Sequence, residues 1–423
     1  MIFKRRTAAV VAVAAALALA AGCGRDSGGG DQQQAQSVAE GKASGEVTVW
    51  AMGTEGEKLG EFAKAFTTEN PDAKVTVTAV PWDAAQQKIA GAIAAKQTPD
   101  ISMIGTTLQG EVAKTGALDP TPADLVDKSA FFPGAWDGTM VDGTAYGVPW
   151  YVETRVIYYR TDLAQKAGIT APPKTWDELT AMAKAMQDKA GAKWGINLQP
   201  SKTGTWQSML PFAWSNGAEI ADGADWTFDT PQMIEAFDYY RSFFTQKLSP
   251  PDLPQGQLEP DFIAGRIGAF MSGPWHQGIL NDQGGKDFAS KYAVTPMPAK
   301  QSSTSFIGGS NIAVFKDAKN RDAAWKFIQW LSKPEVQVKW YQTVSDLPAV
   351  QSAWQDPALT GDKVLATFGE QLKSAKAPPA VPTWAQVSAA FDTEVEKMNI
   401  GGQAPDVTAK AIQQQASAIG TGS

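Results

Sequence analysis

The chain has 423 residues, 37 Lys and Arg against 44 Asp and Glu, and a formal net charge of −7. An acidic chain without basic clusters argues against nucleic acid, and a single cysteine excludes both an internal disulfide and a cysteine metal site. The length is that of two or more domains, and the 15 tryptophans need explaining as core or as contact surface.

Lys4, Arg5 and Arg6 form a basic start, and Thr7 to Ala21 is almost entirely Ala, Val and Leu. That is the layout of a secretory signal peptide, with an apolar run too short for a comfortable membrane span. The only cysteine, Cys23, stands at the expected cleavage point. Ala20-Ala21-Gly22-Cys23 resembles the lipobox of bacterial lipoproteins, with Ala20 where Leu is usual and Leu19 one place earlier. The resemblance implies removal of residues 1–22 and lipidation of Cys23 with several acyl chains, palmitate among them, which together anchor well. Residues 24–44 are Gly, Ser, Gln and charge and read as a flexible tether. The expected location is extracytoplasmic, on the outer face of the cell membrane.

From Glu46 onward the pattern alternates. EVTVWA (46–51) is β-like, and Leu59, Phe62, Ala63 and Phe66 form one apolar helical stripe stopped by Asn70-Pro71-Asp72. KVTVTAV (74–80) reads as a strand, Asp83–Lys96 as a helix, PDISMI (99–104) as a strand and the stretch to Lys114 as a helix. This β-α-β-α-β-α order is the signature of a parallel sheet with right-handed crossovers. RVIYY (155–159) is a strand. Thr175-Trp176-Asp177-Glu178 is a capping box opening a helix. Trp194–Asn197 reads as a short strand, the stretch from Thr230 as a helix, Gly265–Met271 and Phe306–Phe315 as strands, and Asp322–Leu331 as a helix, with several more helices over 333–418.

Five blocks carry a family resemblance over roughly residues 45–418. They are VTVWAMGTEGEKLGEFAKAFTTENPDAKVTV, QTPDISMIGTTLQGEVAKTGALDPT, YGVPWYVETRVIYYRTDLAQKAGITAPPKTWDEL, FIAGRIGAFMSGPWHQGI, and the run from FIGGSNIAVF to SDLPA. In this order they resemble the extracellular solute-binding proteins of bacterial ABC importers, in the maltose-binding-like group for sugars and oligosaccharides. The resemblance implies an α/β, two-lobed periplasmic-binding-protein fold with a hinge and an interlobe ligand cleft. It implies one lobe from 45–151 with 304–350 and another from 155–300 with 354–418. It also implies a monomer that delivers its ligand to ABC permease subunits in the membrane, with ATP hydrolysis on a separate subunit.

A sugar offers hydroxyls at its rim and C–H patches on its faces, so its site needs aromatic rings and hydrogen-bonding carboxylates, hydroxyls or amides. Thr54 and Glu55 follow the first strand, and Thr106 and Thr107 the third. Helix capping is the other use of all four. Gln109 and Glu111 are weaker candidates. Glu153 matches an acidic sugar ligand of the family, with an ion pair to Arg155 as the alternative. Trp206 in SKTGTWQSM, Trp275 in SGPWHQG and Trp384 in AVPTWAQV are expected stacking rings. Gly308, Gly309, Ser310 and Asn311 bring a backbone close to the cleft, with Asn311 available to hydroxyls. Trp150 and Tyr151 suit hinge packing or stacking. Trp50, Trp82, Trp176, Trp325 and Trp330 read as core, and His276 as a satisfied surface side chain. No metal or cofactor site is expected. An enzyme is disfavoured: no G-x-S-x-G, no nucleotide loop and no fixed carboxylate pair is present. A receptor for a non-sugar solute and an exported glycoside hydrolase remain the alternatives.

Overall fold

The computed structural model describes residues 36–422 apart from 203, 255 and 286. The signal peptide, Cys23 and residues 24–35 lie outside the described residues. Alternating apolar residues build strands β1 (Gly45–Met52), β2 (Ala73–Val80) and β3 (Ile101–Gly105), with β1 paired in parallel to both others. The helical stretches between them bury the expected stripes, Leu59, Ala63 and Phe66 on the first and Ile89 and Ala92 on the second. Strand β4 (Val148–Thr154) follows, and Arg155 alone separates it from β5 (Val156–Arg160). That single residue carries the chain from one sheet to another.

Strand β5 is the centre of an antiparallel sheet with β6 (Ala269–Ser272) and β7 (Tyr292–Thr295). Strand β8 (Ser305–Val314) then returns to the first sheet, antiparallel between β3 and β4. Two short strands complete it: β9 (Leu347–Pro348) on the β4 edge, and β10 (Ala375–Lys376) parallel to the start of β8. The large sheet runs β9-β4-β8-β3-β1-β2. Two cross-bonds tie the two passages between sheets together. Thr154 Oγ1 donates to the Phe306 carbonyl at 2.6 Å, and Ser305 Oγ donates to the Arg155 carbonyl at 2.7 Å.

Successive side chains of a strand face opposite ways. On β5 this splits two cores: Val156 and Tyr158 join the apolar cluster of the large sheet, while Ile157 joins a second cluster with Met182, Phe212, Phe237 and Phe391. Thr175 caps its helix as read: its Oγ1 accepts from the Glu178 amide at 3.2 Å, and Glu178 Oε2 accepts from the Thr175 amide at 3.1 Å.

Three expectations change. Trp194–Asn197 makes only isolated parallel bridges, to Ile267 and Phe270. The strand expected at Gly265–Met271 begins at Ala269, because a turn at Gly265 (φ 75°) occupies its start. Residues 36–44, the end of the expected tether, lie against the folded body. Arg321 Nη2 donates to the Gln36 carbonyl at 2.8 Å, the Ala43 amide donates to Asn70 Oδ1 at 2.9 Å, and Ala43 is buried.

Candidate functional site

In open parallel sheets, ligands sit beyond the carboxyl ends of the strands. Here β1 ends at Met52 and runs into Gly53, β2 ends at Val80 before Pro81-Trp82, and β3 ends at Gly105. A Cβ on Gly53 would lie 2.9 Å from Trp82 Nε1, and one on Gly105 would lie 3.5 Å from Trp82 Cζ3. The indole therefore lies across the ends of β1 and β3 and is 45% exposed. This corrects the core reading of Trp82. Thr54 and Thr107 are exposed beside it and Thr106 is half-buried. Thr54 makes no capping hydrogen bond, whereas the Thr106 amide donates to the Gly309 carbonyl at 3.2 Å.

Glu55, in the first helical turn, is only 7% exposed. Burial pushes its carboxyl up, opposed by hydrogen bonding that includes Tyr151. The Tyr151 hydroxyl also receives a hydrogen bond from Ser310 Oγ at 3.3 Å. Asp346, just before β9, accepts from Trp340 Nε1 at 3.0 Å. Its carboxyl is held well above the usual range, first by burial and then by the negative charge of Glu55 and, less strongly, of Glu153. Glu55, Glu153 and Asp346 thus gather around Tyr151 as a group of acceptors. Glu153 also pairs with Arg155, 3.5 Å from its Nη1, as its ion-pair reading expects.

Trp275 opens the helix Trp275–Gly284 after β6 and is 41% exposed. Its ring rests on Gly273, where a Cβ would lie 2.0 Å from Cζ3, so only glycine fits there. The Arg155 guanidinium carbon lies 4.8 Å from the Trp275 ring centroid. His276 is satisfied but buried rather than at the surface. Nδ1 pairs with Ser272 Oγ at 2.7 Å and Nε2 with Glu259 Oε1 at 3.0 Å. Ser272 is buried as well, so this relay presents no open nucleophile.

The other expected ligand residues lie elsewhere. Trp206 is not in a loop but in the helix Thr205–Ser215, 4% exposed, and Trp384 is 1% exposed. Their rings meet edge to face at 5.0 Å inside the second core, leaving neither a face for a sugar. Asn311 is buried, its Nδ2 donating to Gln109 Oε1 at 3.0 Å and to the Gly138 carbonyl at 3.2 Å, so its amide group is occupied within the fold. Gly309 has φ 122°, and a Cβ there would lie 2.2 Å from the Tyr151 carbonyl oxygen. It serves the close approach of β4 and β8, and Ser310 is buried beside it. Gln109 is buried and bonded to the Tyr146 carbonyl, and Glu111 pairs with Gln86. Trp150 is buried and stacks on Trp340 at 5.0 Å, so its ring is used in packing. Among the described residues no group of His, Cys, Asp and Glu is arranged to hold a metal ion.

The geometry defines a two-lobed α/β binding protein, with acceptors and exposed indoles at the sheet ends and the strand crossing. The chain belongs to the bacterial extracellular solute-binding protein family, whose model matches residues 51–338. It is 28% identical to the diacetylchitobiose-binding protein DasA of Streptomyces coelicolor over 404 residues, 91% of each chain. It is 26% identical to a maltotriose-binding protein of Pyrococcus abyssi, covering 82% of this chain and 77% of the relative. Among solved structures it resembles the sugar-binding protein MalE of Xanthomonas citri, with a TM-score of 0.84 and 30% identity over 89% of this chain and 97% of that one. These relatives are binding proteins, not enzymes.

Proposed function

We propose that the protein is the sugar-capturing component of an ABC importer, binding an oligosaccharide between its lobes and passing it to membrane permease subunits. The observation that carries this reading is the pair of exposed indoles, Trp82 and Trp275, set beside the acceptors Glu55 and Glu153. Flat apolar rings with adjacent carboxylates are what a sugar's faces and hydroxyls require. The sugar-binding relatives support the same class. Thr54, Thr106 and Thr107 supply further hydroxyls at the strand ends. The lobes are 45–151 with 304–350 and 155–300 with 354–418, moving about the crossings near 151–155 and 300–304. Lipidation at Cys23 holds the protein at the outer face of the membrane.

The test is titration calorimetry of the full chain against maltose, cellobiose, xylobiose, diacetylchitobiose, trehalose and raffinose. Saturable binding without consumption of the sugar supports the reading. Silence across the panel moves the function to a non-sugar solute, and turnover of a sugar makes the protein a hydrolase.

A further inference from the structure

Arg155 is the single residue between β4 and β5 and is only 8% exposed. Its Nη2 donates to Gln207 Oε1 at 2.5 Å. Its Nη1 lies 3.5 Å from Glu153 Oε2, too far for a good hydrogen bond, and has no hydrogen-bond partner among the described residues. The guanidinium carbon lies 4.8 Å from the Trp275 ring centroid and 5.3 Å from that of Phe306. A buried donor without an acceptor is costly, and arginine has no neutral form to adopt instead. A side chain needed only for packing between two rings gains nothing from that unfilled donor. The nitrogen left unfilled belongs to the side chain lying on the indole that the proposed function assigns to the sugar.

We infer that Arg155 is a ligand-binding residue, whose Nη1 donates to a hydroxyl oxygen of a sugar resting against Trp275 while Glu153 accepts from the neighbouring hydroxyl. Glu153 and Arg155 stand two residues apart, with Thr154 between them turned away to the Phe306 carbonyl. A donor and an acceptor 3.5 Å apart suit a vicinal diol, one hydroxyl accepting and the next donating. Charge narrows the class further. Glu153 offsets the charge of Arg155, so the site holds no net positive charge to draw a carboxylate and favours a neutral diol-bearing sugar. The inference rests on the sugar-binding reading above.

The test uses the full chain with maltotriose, diacetylchitobiose and galactotriose, then monodeoxy analogues of the one that binds most tightly. Arg155→Met is expected to weaken binding about 30-fold, the loss of one charge-assisted hydrogen bond. It is also expected to lose the wild type's discrimination against one particular monodeoxy analogue, which a residue acting only on the fold would leave intact. Affinity within threefold of wild type, or unchanged discrimination against every analogue, overturns the assignment. If Arg155→Met does not fold, Arg155→Lys decides on the same discrimination, since it keeps the charge beside Glu153 and loses the planar fork. Trp275→Ala separates the two readings. If it abolishes binding while Arg155→Met keeps it, the sugar site stands and the role of Arg155 falls. A wild type that binds none of the three sugars overturns both.

Discussion

Replacing Trp82 by alanine tests the site where its structure departs most from its sequence. A tryptophan side chain offers up to about 250 Å². With 45% of the residue exposed, a ligand covering all of that would remove about 110 Å² from water, worth about 2.8 kcal/mol at about 25 cal/mol per Å². A ligand covering half would gain about 1.4 kcal/mol, so Trp82→Ala should weaken binding by about 10- to 100-fold. Calorimetry with the tightest-binding sugar of the panel measures this. Urea unfolding of the unliganded protein runs alongside it. The variant should lose less stability than a core tryptophan does on truncation, about 3–5 kcal/mol. Affinity within threefold of wild type would refute the reasoning, because Trp82 would then merely shield the ends of β1 and β3.

Trp384→Ala should behave in the opposite way, losing about 3–5 kcal/mol of stability by urea unfolding for a side chain 1% exposed. Asp392 accepts the Gly204 and Trp206 amides at 2.7 and 2.8 Å, and burial pushes its carboxyl from 3.8 up to about 6. Its proton is bound more tightly in the folded state, so its contribution is present below 3.8 and lost as pH rises through about 6. Asp392→Asn should therefore remove a fall in stability between pH 4 and 7, read from urea midpoints at the two ends. His276 has the opposite sign: burial first, and Arg155 last, pull its pKa below 6.5, against the charge of Glu259. Its contribution is present above 6.5 and lost as pH falls, so His276→Gln should flatten the decline in stability below that pH.

The repeating units of the fold were legible because each buries its own stripe. The period-two runs of β1, β2 and β3 and the helical spacing of Leu59, Ala63 and Phe66 are local patterns, and the capping box at Thr175 closes within four residues. The site was half legible. Glu55 and Trp275 follow strand ends and Glu153 sits at the end of β4 beside the crossing, where position in the chain already points to the candidate site. Trp206 misled because its neighbours are polar, yet the helix starts at Thr205 and the partner that buries it, Trp384, comes from the far end of the chain. Trp82 misled in the other direction, since VPWD reads as the tail of a buried strand. Its position two residues past the end of β2, as Thr54 stands two past β1, was the available signal. Arg155 gave only the signal of an ion pair with Glu153, and Asp346 gave none, because what makes them notable is what stands beside them in space.

The lashing of the two strand passages, Thr154 to Phe306 and Ser305 to Arg155, has a mechanical consequence. Two separate links would let the halves slide, roll and tilt independently. Two links bonded side by side bend as one ribbon, stiff to shear along its length and compliant mainly across its width. Under the hinge motion proposed above, movement of the halves then reduces to one angular coordinate. A single pair of optical labels, one on each half, should therefore report the full extent of the movement, and a second pair placed elsewhere should change in strict proportion to the first.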